Sequence, residues 1–341
     1  MREGKTVEGK DKKSRFNLYN LLNRERDLKD AQDDKNASDM GFLWFFKLLG
    51  RRLSTIFSVN ILFVLGNFPI FFILIIFSGI INDHSIVPQS LSFSNLYGAL
   101  AGRAVNPLSA VYYGIVGSPV TENEYNVPLL ILFICLSALL LVTFGPVNCG
   151  CAHILRSVVR RDPVFLFQDF FGTIKKNFWR GLFLGILDLL FAVAVAYDIF
   201  IFYLNYSSSF FFTFSFFFSL AIAIIYLMAR PYMYLICITF KLKFFKLLKN
   251  SAIFAFLGIK RNILALIGKA ILVIFTMLLL SVNFLMAVGA LLPLVILFGL
   301  MLYMGVYAAY KVIKIYMIDP YYDEEGNPLK KNDDEIEELN G

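Results

Sequence analysis

Acidic and basic side chains inside apolar stretches are the first candidates for chemistry in this chain. Asp188 and Asp198 lie in one long apolar segment, Arg230 in the next and Lys269 in the one after. A charge within a membrane span is costly, faces the protein interior and takes a partner, so each of these is a functional candidate. Asp188 lies eight residues past Arg180, and Lys269 eight residues past Arg261. Equal spacing from basic residues that mark a membrane boundary puts Asp188 and Lys269 at similar depth, so Lys269 is the first expected partner and Arg230 the second. Asp198 falls near the far end of its segment, where it can meet water. The plainer reading of such a pair is structural, an ion pair that sets helix register and catalyses nothing.

Cys149, Cys151 and His153 form a second cluster. On a helix, positions four apart share a face while the residue between points away. Cys149 and His153 then offer two ligands, short of the four usual for structural zinc. No metal and no cofactor are expected. The four cysteines lie in or beside apolar segments and read as small buried residues, not as a disulfide framework. No phosphate-cradling Gly-rich loop, nucleophile elbow or paired-His metalloprotease motif occurs. General acid–base or nucleophilic catalysis needs groups gathered together, and none are, so the reading is not an enzyme.

The elements that must position these charges are membrane helices. Of 341 residues, 58% are hydrophobic and 37 are Phe, against roughly 45–50% apolar in soluble domains. The expected fold is all-α, a polytopic bundle of about six transmembrane helices with interfacial amphipathic segments. The spans read as Ile56–Ile81, Val127–Phe144 continuing past Pro146 as a kinked helix, Gly181–Tyr203, Phe210–Phe240, Ile263–Ser281 and Ala287–Tyr310. Gly181 and Gly185, small residues four apart, let two helices approach closely.

Residues 1–40 read as a cytoplasmic polar tail, largely disordered, with one apolar cluster at Phe16–Leu22. Residues 41–318 form the transmembrane domain and residues 319–341 an acidic cytoplasmic tail. Residues 82–126 form an outer loop with Arg103 as its single basic residue. Its length calls for an ordered hairpin or short helices. Strong basic clusters (Arg51-Arg52, Arg156 to Arg161, Lys175 to Arg180, Lys241 to Lys249, Lys260-Arg261, Lys311 and Lys314) all fall on the other side. By the positive-inside tendency, both termini are then cytoplasmic, in a multi-pass protein of the cell membrane. The net charge of +7 is placed against lipid, so the expected partners are the bilayer and anionic lipids at the inner basic loops, not nucleic acid.

Two stretches lie along that inner surface in this reading: Gly41–Gly50, and the aromatic segment Phe165–Phe178. A repeat underlies them. Pro146 to Asn177 and Pro231 to Asn262 have equal separations, and in that register Arg156 aligns with Lys241, Arg161 with Lys246 and Lys175-Lys176 with Lys260-Arg261. With Arg51-Arg52 as a weaker third start, the chain reads as three helical hairpins, each entered through an interfacial segment. The competing reading is the basic–apolar–basic rhythm of any multi-spanning protein.

Several stretches in order carry a family resemblance: Asn60–Pro69, Thr143–Pro146, Phe165–Phe171, Lys176–Phe178, Tyr197-Asp198 and Leu247–Ala252. The chain resembles the YesL-like family of bacterial integral membrane proteins, whose biochemical function is unknown. The resemblance covers most of residues 41–315. It departs at 82–126, since the family joins its first two spans closely. Family members often lie beside carbohydrate-uptake and glycan-degradation genes in Gram-positive bacteria. The resemblance therefore implies an accessory or scaffolding component of carbohydrate utilisation, docking on an ABC-type sugar permease or a sensor kinase. The alternative is a secondary transporter or permease in its own right, using Asp188, Lys269 and Arg230 at the midplane.

Overall fold

The computed structural model describes residues 41–78, 82–86, 90–103, 107–118 and 121–320. The tail readings for residues 1–40, with the Phe16–Leu22 cluster, and for the chain beyond Pro320 lie outside these. The described chain is an all-α polytopic bundle. Five helical segments are long and apolar enough to cross a membrane, and a sixth is reached by counting a broken segment near the start.

That first segment is built in pieces. Helix α1 (Phe42–Arg51) meets α2 (Leu53–Gly66) at a bend of 77°. The chain turns again at Asn67–Pro69, because proline disfavours helical backbone in the residue before it, and resumes as α3 (Ile70–Phe77). The return is α6 (Val127–Ser137) followed by α7 (Leu140–Arg160). Asn126 caps α6 by accepting the Leu129 N–H at 3.2 Å. Helix α2 packs on α7 and α3 on α6. Since α6 precedes α7, the two broken segments run antiparallel along their length.

The described residues of the insert between them form two strands and two helices. Strands β1 (Asn82–Ile86) and β2 (Thr121–Tyr125) pair antiparallel from Asn82↔Tyr125 to Ile86↔Thr121. They close the ends of a pair of packed helices, α4 (Leu91–Arg103) and α5 (Pro107–Val116). Beside the helices, the described residues thus include a two-stranded ribbon.

Helix α8 (Leu166–Leu204) is 39 residues long. At 1.5 Å per residue that is roughly 58 Å, about twice the hydrocarbon thickness, so part of it must lie outside the membrane core. The break is at Asn177, whose backbone is non-helical. Before it, Phe170 and Thr173 are buried while Phe167 and Phe171 stay exposed. The segment is thus a short two-faced helix that docks one side on the bundle. Helix α9 (Phe210–Thr239) returns, α10 (Phe244–Leu257) leads into α11 (Ile259–Ser281), and α12 (Met286–Leu292) and α13 (Phe298–Ile313) complete the chain, joined by a π-turn at Pro293–Leu297.

The three hairpins share an entry geometry. Each short helix joins its span through one residue in the bridge region between α and β backbone. Arg52 has φ −112, ψ 19; Asn177 has φ −115, ψ 18; Gly258 has φ −92, ψ 17. Each returning span also carries an internal proline, Pro146, Pro231 or Pro293. Asn67 (φ −105, ψ 25) and Asn205 (φ −113, ψ 8) have similar dihedrals at helix ends outside the entries, so the shared break accompanies the proposed hairpin repeat without distinguishing it from a basic–apolar rhythm.

The core sits toward the basic end. Its buried side chains come mainly from Val147–Val159 of α7, Tyr232–Cys237 of α9 and Tyr303–Ile313 of α13. The opposite halves of the spans expose Phe, Ile and Leu, which in hydrocarbon carries no penalty. Helix α1 is strapped across this end. Tyr307 donates to the Gly41 carbonyl at 2.8 Å and Tyr303 to that of Phe45 at 3.2 Å. The Arg161 guanidinium lies 4.3 Å from the Trp44 ring centre.

A candidate buried ionic site among three helices

Glycines bring α7 and α8 into backbone contact. A methyl group on Gly145 would collide with the Gly181 carbonyl oxygen, and one on Gly185 would collide with the Gly145 Cα. The expected close approach through Gly181 and Gly185 is therefore made, against Gly145. One turn further along α8 is Asp188, 1% exposed.

Arg230 of α9 meets that carboxylate. Its Nε lies 2.9 Å from Oδ2 and 3.2 Å from Oδ1. Tyr234 donates to Oδ2 at 2.6 Å and Tyr226 donates to Oδ1. A carboxylate offers about four lone-pair positions, and these contacts occupy them. Arg230 also donates through Nη2 to Asn148 Oδ1 of α7 at 3.3 Å, and its guanidinium lies against the Phe144 and Tyr234 rings. Asn148 is itself oriented by donating to the Phe144 carbonyl at 2.8 Å. The result is a hydrogen-bonded clasp that ties α7, α8 and α9 together, its carboxylate fully enclosed and its guanidinium partly exposed, in a setting where an unpaired charge would be costly.

Sequence spacing ranks Lys269 ahead of Arg230 as the partner of Asp188. The structure corrects this. Helix α9 packs on both α8 and α11, so its own cation reaches Asp188, and depth along the helices does not register which helix stands beside which. Lys269 instead lies beside Pro231, with Nζ 3.1 Å from where a Gly305 Cβ would sit. It lines a void of about 10 Å³ with Asn262 and Ala308. Asp198 is exposed on α8. Cys149 and Cys151 are buried, and among the described residues no three His, Cys, Asp or Glu side chains converge as metal ligands would.

Tyr226, Tyr234 and Asn148 were not singled out from sequence, although a signal was present. Tyr226, Arg230 and Tyr234 recur every four residues and so share one face of α9. A second polar clasp was also missed. Asn60 of α2 donates to the carbonyls of Pro293 at 3.1 Å and Leu294 at 2.7 Å, and accepts from the Gly299 N–H at 2.8 Å. It thereby satisfies backbone groups of the π-turn that splits the last span.

Fold and site together define a multi-pass membrane protein of helical hairpins held by buried polar clasps. Residues 126–199 match a family model described as a protein of unknown function, DUF624. The match runs from the Asn126 cap of α6 into α8 and includes Asn148 and Asp188, but not Arg230. No curated protein and no solved structure matches the chain.

Proposed function

We propose that this protein is an accessory or scaffolding component of the cell membrane, YesL-like, serving carbohydrate uptake by docking on a permease or a sensor kinase, with no enzymatic or solute-moving activity of its own. The observation that carries this reading is the closure of the Asp188–Arg230 clasp by Tyr226, Tyr234 and Asn148. A sugar site needs polar groups left open to the solute, and here the Asp188 carboxylate is fully enclosed and most of the Arg230 side chain is covered. The void beside Lys269, at about 10 Å³, has room for about one water molecule. Both termini are assigned to the cytoplasm, supported by the basic clusters along one end of the bundle. The resemblance to the YesL-like family supplies the link to carbohydrate utilisation.

The transporter reading keeps one observation in its favour: Lys269 is a cation within a span, beside a proline-interrupted helix, and among the described residues no carboxylate pairs with it. One experiment separates the two. Gentle purification from native membranes should bring a permease or kinase with the protein, and the purified protein in liposomes should move no sugar. Solute uptake by the protein alone, abolished by Lys269→Met, would replace this reading with the transporter.

A further inference from the structure

A cleft of about 690 Å³ opens on the flank of the bundle, between α8 just past its break and the start of α10. Phe183, Leu187 and Leu190 form one wall, and Phe244 and Leu247 line the other. Phe183 and Leu190 are 60% and 62% exposed, so this wall is open sideways to the bilayer and not sealed in the core. Arg180 and Lys243 line the same cleft, and both are exposed. Among the described residues that line it there is no Asp or Glu. Arg180 is three residues past the Asn177 break and Lys243 directly precedes α10, so both cations sit where short helices meet spans. Trp179, also at the cleft, is an aromatic suited to headgroup depth. From Arg180 to Leu190 the apolar wall continues for roughly 15 Å along the helix.

We propose that this cleft binds one anionic phospholipid, its phosphate between Arg180 and Lys243 and an acyl chain along Phe183, Leu187 and Leu190. The charge pattern selects the occupant. Two cations at one end of an otherwise apolar groove match a molecule with one anionic end and a long hydrocarbon tail. A partner's transmembrane helix would find no counter-charge for its own basic flank there. A soluble anion would make no use of the groove. The proposal rests on the multi-pass architecture and is independent of the accessory reading.

The chain has two tryptophans, so Trp44→Phe leaves Trp179 as a reporter in the cleft. The protein is reconstituted in phosphatidylcholine vesicles, and brominated phosphatidylglycerol or brominated phosphatidylcholine is titrated in as quencher. The charged lipid should quench Trp179 at much lower mole fraction. Arg180→Gln with Lys243→Gln should weaken that preference by roughly thirtyfold, taking about fivefold per cation near a lipid surface. Lys175→Gln with Lys176→Gln removes equal charge outside the cleft and should retain the preference. Leu187→Trp, in a background lacking both native tryptophans, should report the same lipid selectivity from deeper in the groove. Equal quenching by the two lipids would overturn the proposal. So would loss of preference in the Lys175/Lys176 variant, which would assign the effect to general surface charge. Displacement of the brominated lipid by millimolar glycerol phosphate would also overturn it, by pointing to a soluble anion site.

Discussion

Breaking the Asp188–Arg230 pair tests whether this clasp, and not a pairing with Lys269, holds the three helices. Removing one partner of a buried ion pair costs about 3–5 kcal/mol, because the other charge is left uncompensated. The two sides are not equivalent here. The Arg230 side chain is 24% exposed and that of Asp188 0%. Asp188→Asn leaves a cation with some access to its surroundings and should cost about 3 kcal/mol, the low end of that range. Arg230→Met leaves a fully enclosed carboxylate held by two tyrosine hydroxyls and should cost about 5 kcal/mol, the high end. The double variant removes both charges, and the side-chain amide carbonyl introduced by Asp188→Asn can still accept from a tyrosine. It should therefore lie only about 1–2 kcal/mol below the parent, the value of one or two ordinary hydrogen bonds. Reversible unfolding in mixed detergent micelles gives all the corners of this cycle. The sum of the two single costs less that of the double gives an expected coupling of about 6–7 kcal/mol, above the roughly 0.5–3 kcal/mol usual for contacting residues, because each single change leaves a buried charge uncompensated. Lys269→Met serves as the comparison: Lys269 lies within electrostatic reach of Arg230, so removing it relieves some cation–cation repulsion in the Asp188→Asn background, but it should restore less stability than Arg230→Met does. Additivity of the Asp188 and Arg230 changes, or fuller rescue of Asp188→Asn by Lys269→Met than by Arg230→Met, would refute the assignment and restore the pairing that spacing suggests.

Gly145→Ala should lower stability by about 3 kcal/mol or abolish folding, since its methyl meets the Gly181 carbonyl and overpacking of this kind costs about 1–3 kcal/mol or more; Gly50→Ala, with open space around it, should leave the unfolding midpoint unchanged. Asn60→Leu should cost about 1–3 kcal/mol by stranding buried backbone groups of the π-turn, and hydrogen exchange should rise at Gly299 and spare the α7–α8 contact. In a Cys135→Ala background, Leu108→Cys (79% exposed) should react with an impermeant maleimide in intact cells, and Lys175→Cys should react only after permeabilisation; the reverse pattern would invert the topology.

The architecture was legible in the sequence wherever a property accumulates along the chain. Runs of Phe, Ile and Leu set the spans because bilayer thickness dictates a minimum apolar length, and Lys and Arg clusters marked their ends. Even the entry breaks at Arg52 and Asn177 fall within a residue or two of basic positions that spacing picked out. The length of 82–126 calls for a hairpin or short helices, and its described residues form both; the pairing of β1 with β2 joins residues about 40 apart and leaves no local signal. What only the tertiary structure decided was partnership. Asp188 and Lys269 share a depth by counting, but an ion pair forms with whichever cation stands within about 3 Å, and that depends on which helix packs beside α8. Gly145, backed against Gly181 and Gly185, draws α7 close enough for Asn148 to reach Arg230, and the tyrosines at positions 226 and 234 then complete the shell. Such contacts join residues 38 to 82 positions apart, beyond the reach of any local periodicity. The asymmetry is physical: hydrophobic length and surface charge act on each segment separately, whereas a buried ion pair is selected by packing among several segments at once.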